Sequence, residues 1–331
     1  MDLQLTDEQT WLAESLETLL QRDPERVWER LVEFGALDIG GEDGLGAVEL
    51  CLIARGLGAH LACAPYLGSA ALRYASLLEG DESAAIALLE PGGGWSADAV
   101  QTELVDGALR GRKVAVEHGG AVDRLAVVAL VDGEAGLVLA SGGDVTAQPA
   151  FDPTVPMAAV DLTRVEAEAV IEGEAVLRRL MSVAGLLASA EAVGAAGRIL
   201  EDARSYAAQR RQFGRTIGSN QALRHLLADM YVRHSSAWST VLYAAAALDD
   251  GVDEPELTAS VAKAYVARAA REVAHGAMQV FGGIAFTAEH QAHRFLRRIV
   301  VREQQFGDAA HHERELGRRL AAGAFSPASV S

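Results

Sequence analysis

The fold is decided by two stretches in the second half of the chain, QRRQFGRTIGSNQALRHLLADM (209–230) and AMQVFGGIAFTAEHQAHRFLRR (277–298). In the first, an arginine-rich helix is predicted to end at the Phe-Gly pair 213–214, and the Ser-Asn pair 219–220 offers N-cap side chains for the next helix. In the second, a double glycine at 282–283 ends a helix. Both stretches therefore predict helix–turn–helix corners.

The rest of the second half completes a helical bundle. After the double glycine, Thr287 is a capping residue from which the next helix is predicted to restart. The acidic stretch DDGVDEP (249–255) is the clearest break between segments of helical periodicity. Long helices joined by short loops are typical of an antiparallel bundle. Helices are predicted at 174–212, 221–248, 256–281, 289–304 and 309–322.

The first half contains a segment with helical periodicity followed by a segment rich in β-forming residues. Apolar residues recur at helical spacing in 5–35 and 46–78, whereas short β-rich runs begin at about Ala84. Asp-Gly pairs at 106–107 and 132–133 mark hairpin turns. We therefore predict an α+β protein with an N-terminal helical domain, a small middle β domain and a C-terminal four-helix bundle. The predicted divisions are 1–82, 83–172, 173–323 and a mobile tail, 324–331.

Composition excludes several classes of protein. The chain has 331 residues, a formal net charge of −17 and 50% hydrophobic residues, so it can bury a core and is not disordered. Its negative charge repels nucleic acid and anionic membranes. Two cysteines make no disulfide framework, and neither a signal peptide nor an unbroken membrane span is visible. We expect a cytoplasmic protein without nucleic-acid or membrane partners.

The charge is unevenly distributed along the chain. Residues 1–176 hold 10 basic and 31 acidic residues, whereas 177–331 hold 19 basic and 15 acidic residues. Only Lys113 and Lys263 among the 29 cations are lysines. A codon bias accounts for most of the preference for arginine, but not for its concentration in the second half. Because guanidinium groups suit phosphate oxygens, we expect an anionic ligand on the C-terminal half.

Common nucleotide and metal motifs are not found in the sequence. Neither G-x-G-x-x-G after a strand nor G-x-x-x-x-G-K-[ST] occurs. The glycine-rich EPGGGWSAD (90–98) fits a surface turn and a ligand loop equally well. The histidines at 290–293 and 311–312, with Glu313, lack a zinc-site spacing, so we predict no metal site.

The two deciding stretches resemble the acyl-CoA dehydrogenase family, whose C-terminal bundle carries an R-x-x-F-G loop and a Q-x-x-G-G turn. Upstream, 40–72 is similar to the family's N-terminal helices, LLEPGGGWSAD (88–98) to its E-P-G-x-G-S-D stretch, and 111–129 to its K-x-x-I-T-N strand pair. The resemblance implies an FAD-dependent oxidoreductase that introduces an α,β double bond into an acyl-CoA thioester. It also implies an electron-transfer flavoprotein, or a similar protein, as electron acceptor.

By this resemblance, the chain reaches across a subunit interface to the pyrophosphate and adenine end of a neighbour's FAD. Arg210 would neutralise the diphosphate, and Phe213 would cover its apolar flank. The helix that begins after Asn220 would add partial positive charge. The implied FAD-binding residues are Arg210, Gln212, Phe213, Asn220, Gln221, Gln279, Gly282 and Gly283.

The catalytic base of the family is not at its usual place. That base is the Glu of a Y-E-G-T stretch, and the same count from Gln279 reaches Phe306. In some members the base lies on the first bundle helix, where this chain has Ala184. The candidate bases are the nearest carboxylates, Asp308 and Glu191. For Glu191, pairing with an arginine inside the bundle is favoured over catalysis.

The positions that would face the isoalloxazine ring also depart from the family. Ala115 and Glu117 stand where the family commonly has Trp and Thr. Short members with this pattern form α2β2 assemblies in actinobacterial steroid and side-chain catabolism and share each FAD between unlike subunits. The resemblance therefore implies that the chain is one subunit of a heteromeric enzyme. It would contribute the adenine and pyrophosphate half of the site for an FAD that a second acyl-CoA dehydrogenase subunit mainly binds. The alternatives are a self-sufficient homo-oligomeric flavoenzyme that uses Asp308 as base and an inactive structural paralogue.

Overall fold

Helices at both ends of the chain enclose a β-rich middle part. The computed structural model describes residues 3–22, 26–40, 44–95, 99–171, 173–251 and 254–322. The predicted tail at 324–331 lies outside these residues. Within them, the α+β class expected from the sequence is confirmed.

In the described part of the chain, four helices precede the strands. Of these, α3 packs along the first bundle helix with eight buried residues. Its left-handed C-cap residue, Leu61 (φ 50°), turns the chain towards the next helix. The four are α1 (Asp7–Arg22), α2 (Val27–Glu33), α3 (Ala47–His60) and α4 (Tyr66–Tyr74).

The middle part contains two sheets. The strands are β1 (Ala84–Ala87), β2 (Glu103–Val105), β3 (Ala108–Arg110), β4 (Arg112–Glu117), β5 (Arg124–Val131), β6 (Glu134–Ala140), β7 (Asp144–Gln148), β8 (Met157–Asp161), β9 (Val165–Glu166) and β10 (Ala169–Ile171). The larger sheet has the order β10-β6-β5-β2-β3-β9 with β1 paired to β5, and the smaller one has the order β4-β8-β7.

Both predicted Asp-Gly turns close antiparallel hairpins. Asp106 and Gly107 connect β2 to β3, and Asp132 and Gly133 connect β5 to β6. All four residues have positive φ, between 50° and 88°. Two-residue hairpins of this kind need the left-handed conformation at both central positions, which Asp tolerates and Gly prefers. The hairpin prediction is confirmed.

The C-terminal part is the predicted bundle. Its helices are α5 (Glu174–Gln209), α6 (Gln221–Asp250), α7 (Pro255–Phe281), α8 (Ala292–Gln304) and α9 (Ala309–Ala321). The central helix, α5, is apolar and long enough to cross a membrane, but 83% of its most apolar window is buried inside the protein. Gly58 of α3 lets the two helices touch, because a Cβ there would lie 1.9 Å from the carbonyl oxygen of Glu191 on α5.

Two boundaries in the deciding stretches differ from the prediction. The arginine-rich helix ends at Gln209 because the next residues form a hairpin, β11 (Arg211–Gln212) with β12 (Arg215–Thr216), whose tip is Phe213-Gly214. The later prediction of a cap at Thr287 is wrong. Its hydroxyl donates to the carbonyl of Ile284 in the 3₁₀ turn Gly282–Phe286, and α8 begins only at Ala292.

Candidate functional site

An open groove lies between the first turn of α6 and the last turn of α7. Its volume is about 680 Å³. Asn220 and Gln221 line it from α6, and Gln279 lines it from α7. The structure thus brings together three of the predicted ligand residues, which lie about 60 positions apart in the sequence. We call this feature the α6–α7 groove. Its remaining lining residues are Ile217, Ala222, Leu223, Leu226 and Val280.

The β11–β12 hairpin adjoins the groove and carries unpaired positive charge. The carbonyl of Arg210, at the C-cap of α5, accepts from the backbone N–H of the groove residue Ile217 at 2.9 Å. Phe213 at the hairpin tip is 100% exposed, and Gln212 is exposed beside it. Arg210, Arg211 and Arg215 form no ion pair with any residue of the described ranges. Their charge is therefore available to an anion.

The N-terminus of α6 adds to this positive potential. Asn220 occupies the N-cap position, but its side chain does not cap the helix. Its Oδ1 atom instead accepts a hydrogen bond from Nη2 of Arg215 at 2.7 Å. The first-turn N–H groups of a helix have no partner within the helix and attract phosphate oxygens. Asn220 is at the predicted N-cap position, but its side chain binds Arg215 rather than capping the helix.

The double glycine at the end of α7 leaves room for a ligand. Gly282 has a φ of 67°, and a Cβ added at Gly282 or Gly283 would meet no atom within 4 Å. Neither glycine is needed to relieve a contact with any residue that the structure describes. Open space, guanidinium groups without an ion pair among the described residues and an uncapped helix N-terminus together fit the diphosphate and nucleoside part of a dinucleotide.

A second feature, the closed cavity, lies where α4, β1 and β4 meet the turn between α8 and α9. Its volume is about 30 Å³. Trp95 and Ala115 line it from the β side, and Gln305 and Phe306 line it from the turn. The rings of Trp95 and Phe306 are in contact, with centroids 5.8 Å apart. Such a volume admits a water molecule or two, whereas ligand sites span several hundred Å³.

Charged side chains close one wall of this cavity. Glu117 of β4 receives two hydrogen bonds from Arg302 of α8, at 2.6 and 2.8 Å, and one from Nε2 of Gln305 at 2.7 Å. Burial acts to raise the pKa of Glu117, but the charge and hydrogen bonds of Arg302 outweigh burial and lower that pKa to about 2. The carboxylate therefore stays ionised and locked to α8.

A second arginine of α8 extends these contacts into a buried charge cluster. Arg298 is fully buried, with Nε 2.6 Å from Oδ2 of Asp152 and Nη1 2.5 Å from Oε1 of Glu191. Nε of Arg302 lies 3.0 Å from the same Glu191 oxygen. The favoured alternative for Glu191, an ion pair inside the bundle, is confirmed. The buried charge cluster consists of Glu117, Asp152, Glu191, Arg298 and Arg302.

This cluster ties three parts of the chain together. Besides its carboxylate partners, Arg298 donates to Oγ1 of Thr154 at 2.7 Å and to the carbonyl of Ala62 at 3.2 Å. Burial acts to lower the pKa of Arg302, but the carboxylates of Glu117 and Glu191 raise it above its usual range. Paired in this way, the charges connect the N-terminal helices, the β part and the bundle.

The structure places Asp308 at the N-cap of α9. Its Oδ1 atom accepts from the backbone N–H of His311 at 2.7 Å, and Asp308 does not line the closed cavity. Phe306, one of the two positions that the resemblance assigns to the base, lies near the residue that follows the other, Ala184. A Cβ on Gly185, next to Ala184, would be 3.7 Å from Cβ of Phe306. Both positions are apolar here.

The arginines of the buried charge cluster were not predicted from the sequence. The signal was present in α8, where Phe295, Arg298, Ile299 and Arg302 follow helical spacing and share the buried face. Arginines within an apolar stripe indicate buried ion pairs, since an unpaired charge there would be too costly. The carboxylate partners are distant in sequence and gave no comparable signal.

Histidines play local roles in the described part of the chain. Nδ1 of His290 accepts from the N–H of Ala292, and its ring packs on Phe281 with centroids 4.4 Å apart. His312 contacts the carbonyl of Phe306 at 2.9 Å. Among the described residues, no group of three His, Cys, Asp or Glu side chains could hold a metal ion.

Comparison with known proteins gives consistent matches. Residues 172–321 match the family model for "Acyl-CoA dehydrogenase, C-terminal domain". The acyl-CoA dehydrogenase IpdE2 of Mycobacterium tuberculosis is 32% identical over 288 residues, which cover 83% of this chain and 80% of that protein. The acyl-CoA dehydrogenase FadE27 of the same organism is 28% identical over 342 residues, covering 92% and 91%.

A solved structure extends the similarity to the fold of the whole chain. A chain in the crystal structure of the ChsE4-ChsE5 complex from Mycobacterium tuberculosis superposes with a TM-score of 0.84 at 26% identity. The match covers 97% of this chain and 99% of that one.

Proposed function

The chain belongs to the acyl-CoA dehydrogenase family, and from this premise we propose that it is one subunit of a heteromeric acyl-CoA dehydrogenase. In the proposed assembly it supplies the ADP half of an FAD site that a second subunit completes. The curated relatives are named acyl-CoA dehydrogenases, which are oxidoreductases, and structures of the same fold contain FAD, which is the cofactor. When bound, FAD would supply the hydride acceptor for the β-carbon of an acyl thioester whose α-proton a carboxylate removes.

The closed cavity carries this proposal. It is lined by Ala115, Glu117 and Phe306, the positions that the resemblance assigns to the flavin ring and the base, but its volume is only about 30 Å³. Phe306 stands in place of the base, and Glu117 is bound to Arg302 rather than free to face a ring. The residues present do not fit an isoalloxazine ring. We therefore assign no proton or hydride transfer to this cavity.

The α6–α7 groove, in contrast, fits the other end of the cofactor. Arg210 can engage the diphosphate through its planar guanidinium group, and the first turn of α6 can donate N–H groups to the same oxygens. Phe213 offers an apolar face, and Gln279 with Gly283 borders open space. Gln212, Asn220, Gln221 and Gly282 complete this proposed surface.

The second subunit would supply what this chain lacks. We expect it to have the same fold, a cavity large enough for the ring and the acyl thioester, and a carboxylate at the position that Phe306 occupies here. A chain similar to this one occurs in the ChsE4-ChsE5 complex, whose name gives two different proteins. An electron-transfer flavoprotein or a similar acceptor would then reoxidise the flavin.

Expression with and without a partner tests this assignment. The chain purified alone should be colourless and should not reduce an artificial electron acceptor in the presence of acyl-CoA thioesters. Co-expression with an acyl-CoA dehydrogenase encoded next to it should give a yellow, active complex. A yellow and active protein from this chain alone would overturn the proposal and favour the homo-oligomeric alternative.

Arg210→Ala tests the contribution of the groove in the complex. Loss of hydrogen bonds to a charged group costs about 1.5–3 kcal/mol, so FAD should bind about tenfold to a hundredfold more weakly. Arg204→Ala is the matched control, because Arg204 is an exposed arginine of α5 that pairs with Glu201. Equal flavin retention in both variants would remove Arg210 from the site.

A further inference from the structure

The two lysines of this arginine-rich chain are both buried. Lys113 is 0% exposed and Lys263 is 2% exposed. Of the arginines in the described ranges, only Arg73, Arg298 and Arg302 are buried. A codon bias toward arginine does not explain why both exceptions lie in the interior. The local geometry around each ammonium group supplies a reason.

Lys113 anchors the loop that carries Trp95. Its Nζ atom donates to Oε1 of Glu90 at 2.6 Å and to the carbonyl of Leu88 at 3.1 Å. The Glu90 carboxylate also accepts from the N–H groups of Gln101 and Thr102, at 2.8 and 2.9 Å. These bonds join both ends of the glycine-rich loop, of which residues 96–98 lie outside the described part.

Lys263 anchors the opposite wall of the closed cavity. From α7, its Nζ atom donates to the carbonyls of Arg302 and Glu303, at 2.6 and 2.9 Å. These carbonyls belong to the last turn of α8, where no helical N–H is available to them. Phe306 follows within one turn and has a φ of 58°, which is unusual for a residue with a side chain. A fixed helix end is what holds such a backbone in place.

An ammonium group suits both positions better than a guanidinium group. It is compact and directs three donors from one nitrogen, so it fits between two oxygens that converge on one point. A guanidinium group is planar and wider, and its donors diverge. Arginine at either position would displace the oxygens that the lysine now draws together.

We propose that Lys113 and Lys263 are positioning residues that hold Trp95 against Phe306 and thereby keep the cavity closed. Each lysine fixes one of the two chain segments that meet in this aromatic contact. The inference rests on the closed cavity used for the proposed function but not on the heteromeric assembly. The two can therefore fail separately.

Fluorescence of Trp95 in the purified full chain tests the proposal. The chain has four tryptophans, so the Trp95 signal is taken as the difference between each protein and its Trp95→Phe counterpart. Lys113→Arg and Lys263→Arg should each shift this signal to longer wavelength and make acrylamide quenching severalfold faster. Arg112→Lys and Arg268→Lys are matched controls on β4 and α7, where the side chains are exposed, and they should change neither property.

If the arginine variants do not fold, lysine labelling and Trp95 quenching in the chain with both lysines test the same proposal. In rising denaturant, an amine-reactive reagent followed by mass spectrometry should label both lysines in the same step in which Trp95 becomes quenchable. Folded arginine variants with shielded Trp95 would overturn the proposal, as would labelled Lys263 beside a shielded Trp95. A yellow, active chain with the predicted Trp95 shift would remove the heteromeric proposal and leave the positioning role intact.

Discussion

The α6–α7 groove and the closed cavity differ in volume and in whether the charged side chains around them are paired. The groove has a volume of about 680 Å³, and its neighbouring arginines form no ion pair within the described part of the chain. The cavity has a volume of about 30 Å³, and the charges on its wall are paired. The charges on the cavity wall are thus satisfied within this chain, whereas the guanidinium groups beside the groove are left for the ligand that we propose there.

The contacts that line the cavity satisfy its groups within the chain, as the proposed function requires of a subunit that binds no flavin ring of its own. Ala115 is smaller than the Trp that the family commonly has, and Trp95 and Phe306 occupy the cavity wall instead. Glu117 gains Arg302 and Gln305 as partners. A void or an unpaired buried charge at this place would cost several kcal/mol, and the observed contacts avoid both.

Removing Arg298 should have the largest effect on stability. Arg298→Met leaves the carboxylates of Asp152 and Glu191 buried without their main partner, which should lower the free energy of unfolding by about 3–5 kcal/mol. Denaturant unfolding measures this loss. Arg268→Met is the control, since the pair of Arg268 with Glu313 is exposed and should contribute about 0–1 kcal/mol. Similar losses in both variants would contradict a special role for the buried charge cluster.

Glu117 should make stability depend on acid pH. Its folded pKa of about 2 lies below its ordinary value of 4.5, so the ionised form is stabilising above pH 4.5. This contribution, about 3 kcal/mol, is lost as the pH falls from 4.5 toward 2. The difference in unfolding free energy between the natural chain and Glu117→Gln should shrink over that window. A difference that stays constant with pH would show that the charge of Glu117 is not stabilising.

Alanine at each position of the double glycine should affect stability and FAD retention differently. Gly283→Ala should leave stability unchanged, because an added Cβ meets open space, yet it should lower FAD retention in the complex about fivefold or more by crowding the ligand. Gly282→Ala should in addition lose about 1–3 kcal/mol of stability, because its φ of 67° strains a side chain. Unchanged flavin content in both variants would place the cofactor elsewhere.

Asp308 should give the smallest effect. Asp308→Ala removes the cap of α9 and should cost about 1 kcal/mol, whereas Asp308→Asn keeps a capping side chain and should cost almost nothing. We expect the turnover of the complex to be the same in both variants. Abolished turnover in Asp308→Asn with flavin still bound would identify Asp308 as the base.

Local chemistry made much of the fold predictable from the sequence. The Asp-Gly turns and Gly282 at the end of α7 require backbone conformations that few residues adopt, so they are visible in the sequence. Thr287 misled the prediction because its hydroxyl had a competing local acceptor, the carbonyl of Ile284.

The site was predictable only where it depends on short motifs. Asn220 and Gln279 follow from the two deciding stretches, and the structure brings them to one groove. The bonds of Arg298 to Asp152 and Glu191 join residues that are 146 and 107 positions apart, and periodicity carries no information about such pairs. The closure of the cavity therefore became visible only in the folded chain.

The flavin content of the purified assembly tests the central claim most directly. If this chain supplies only the ADP half of a shared site, it should contain no FAD when purified alone. The complex with its partner should then contain one FAD for every two chains. One FAD for every chain, or a flavin-loaded assembly of this chain alone, would contradict the account.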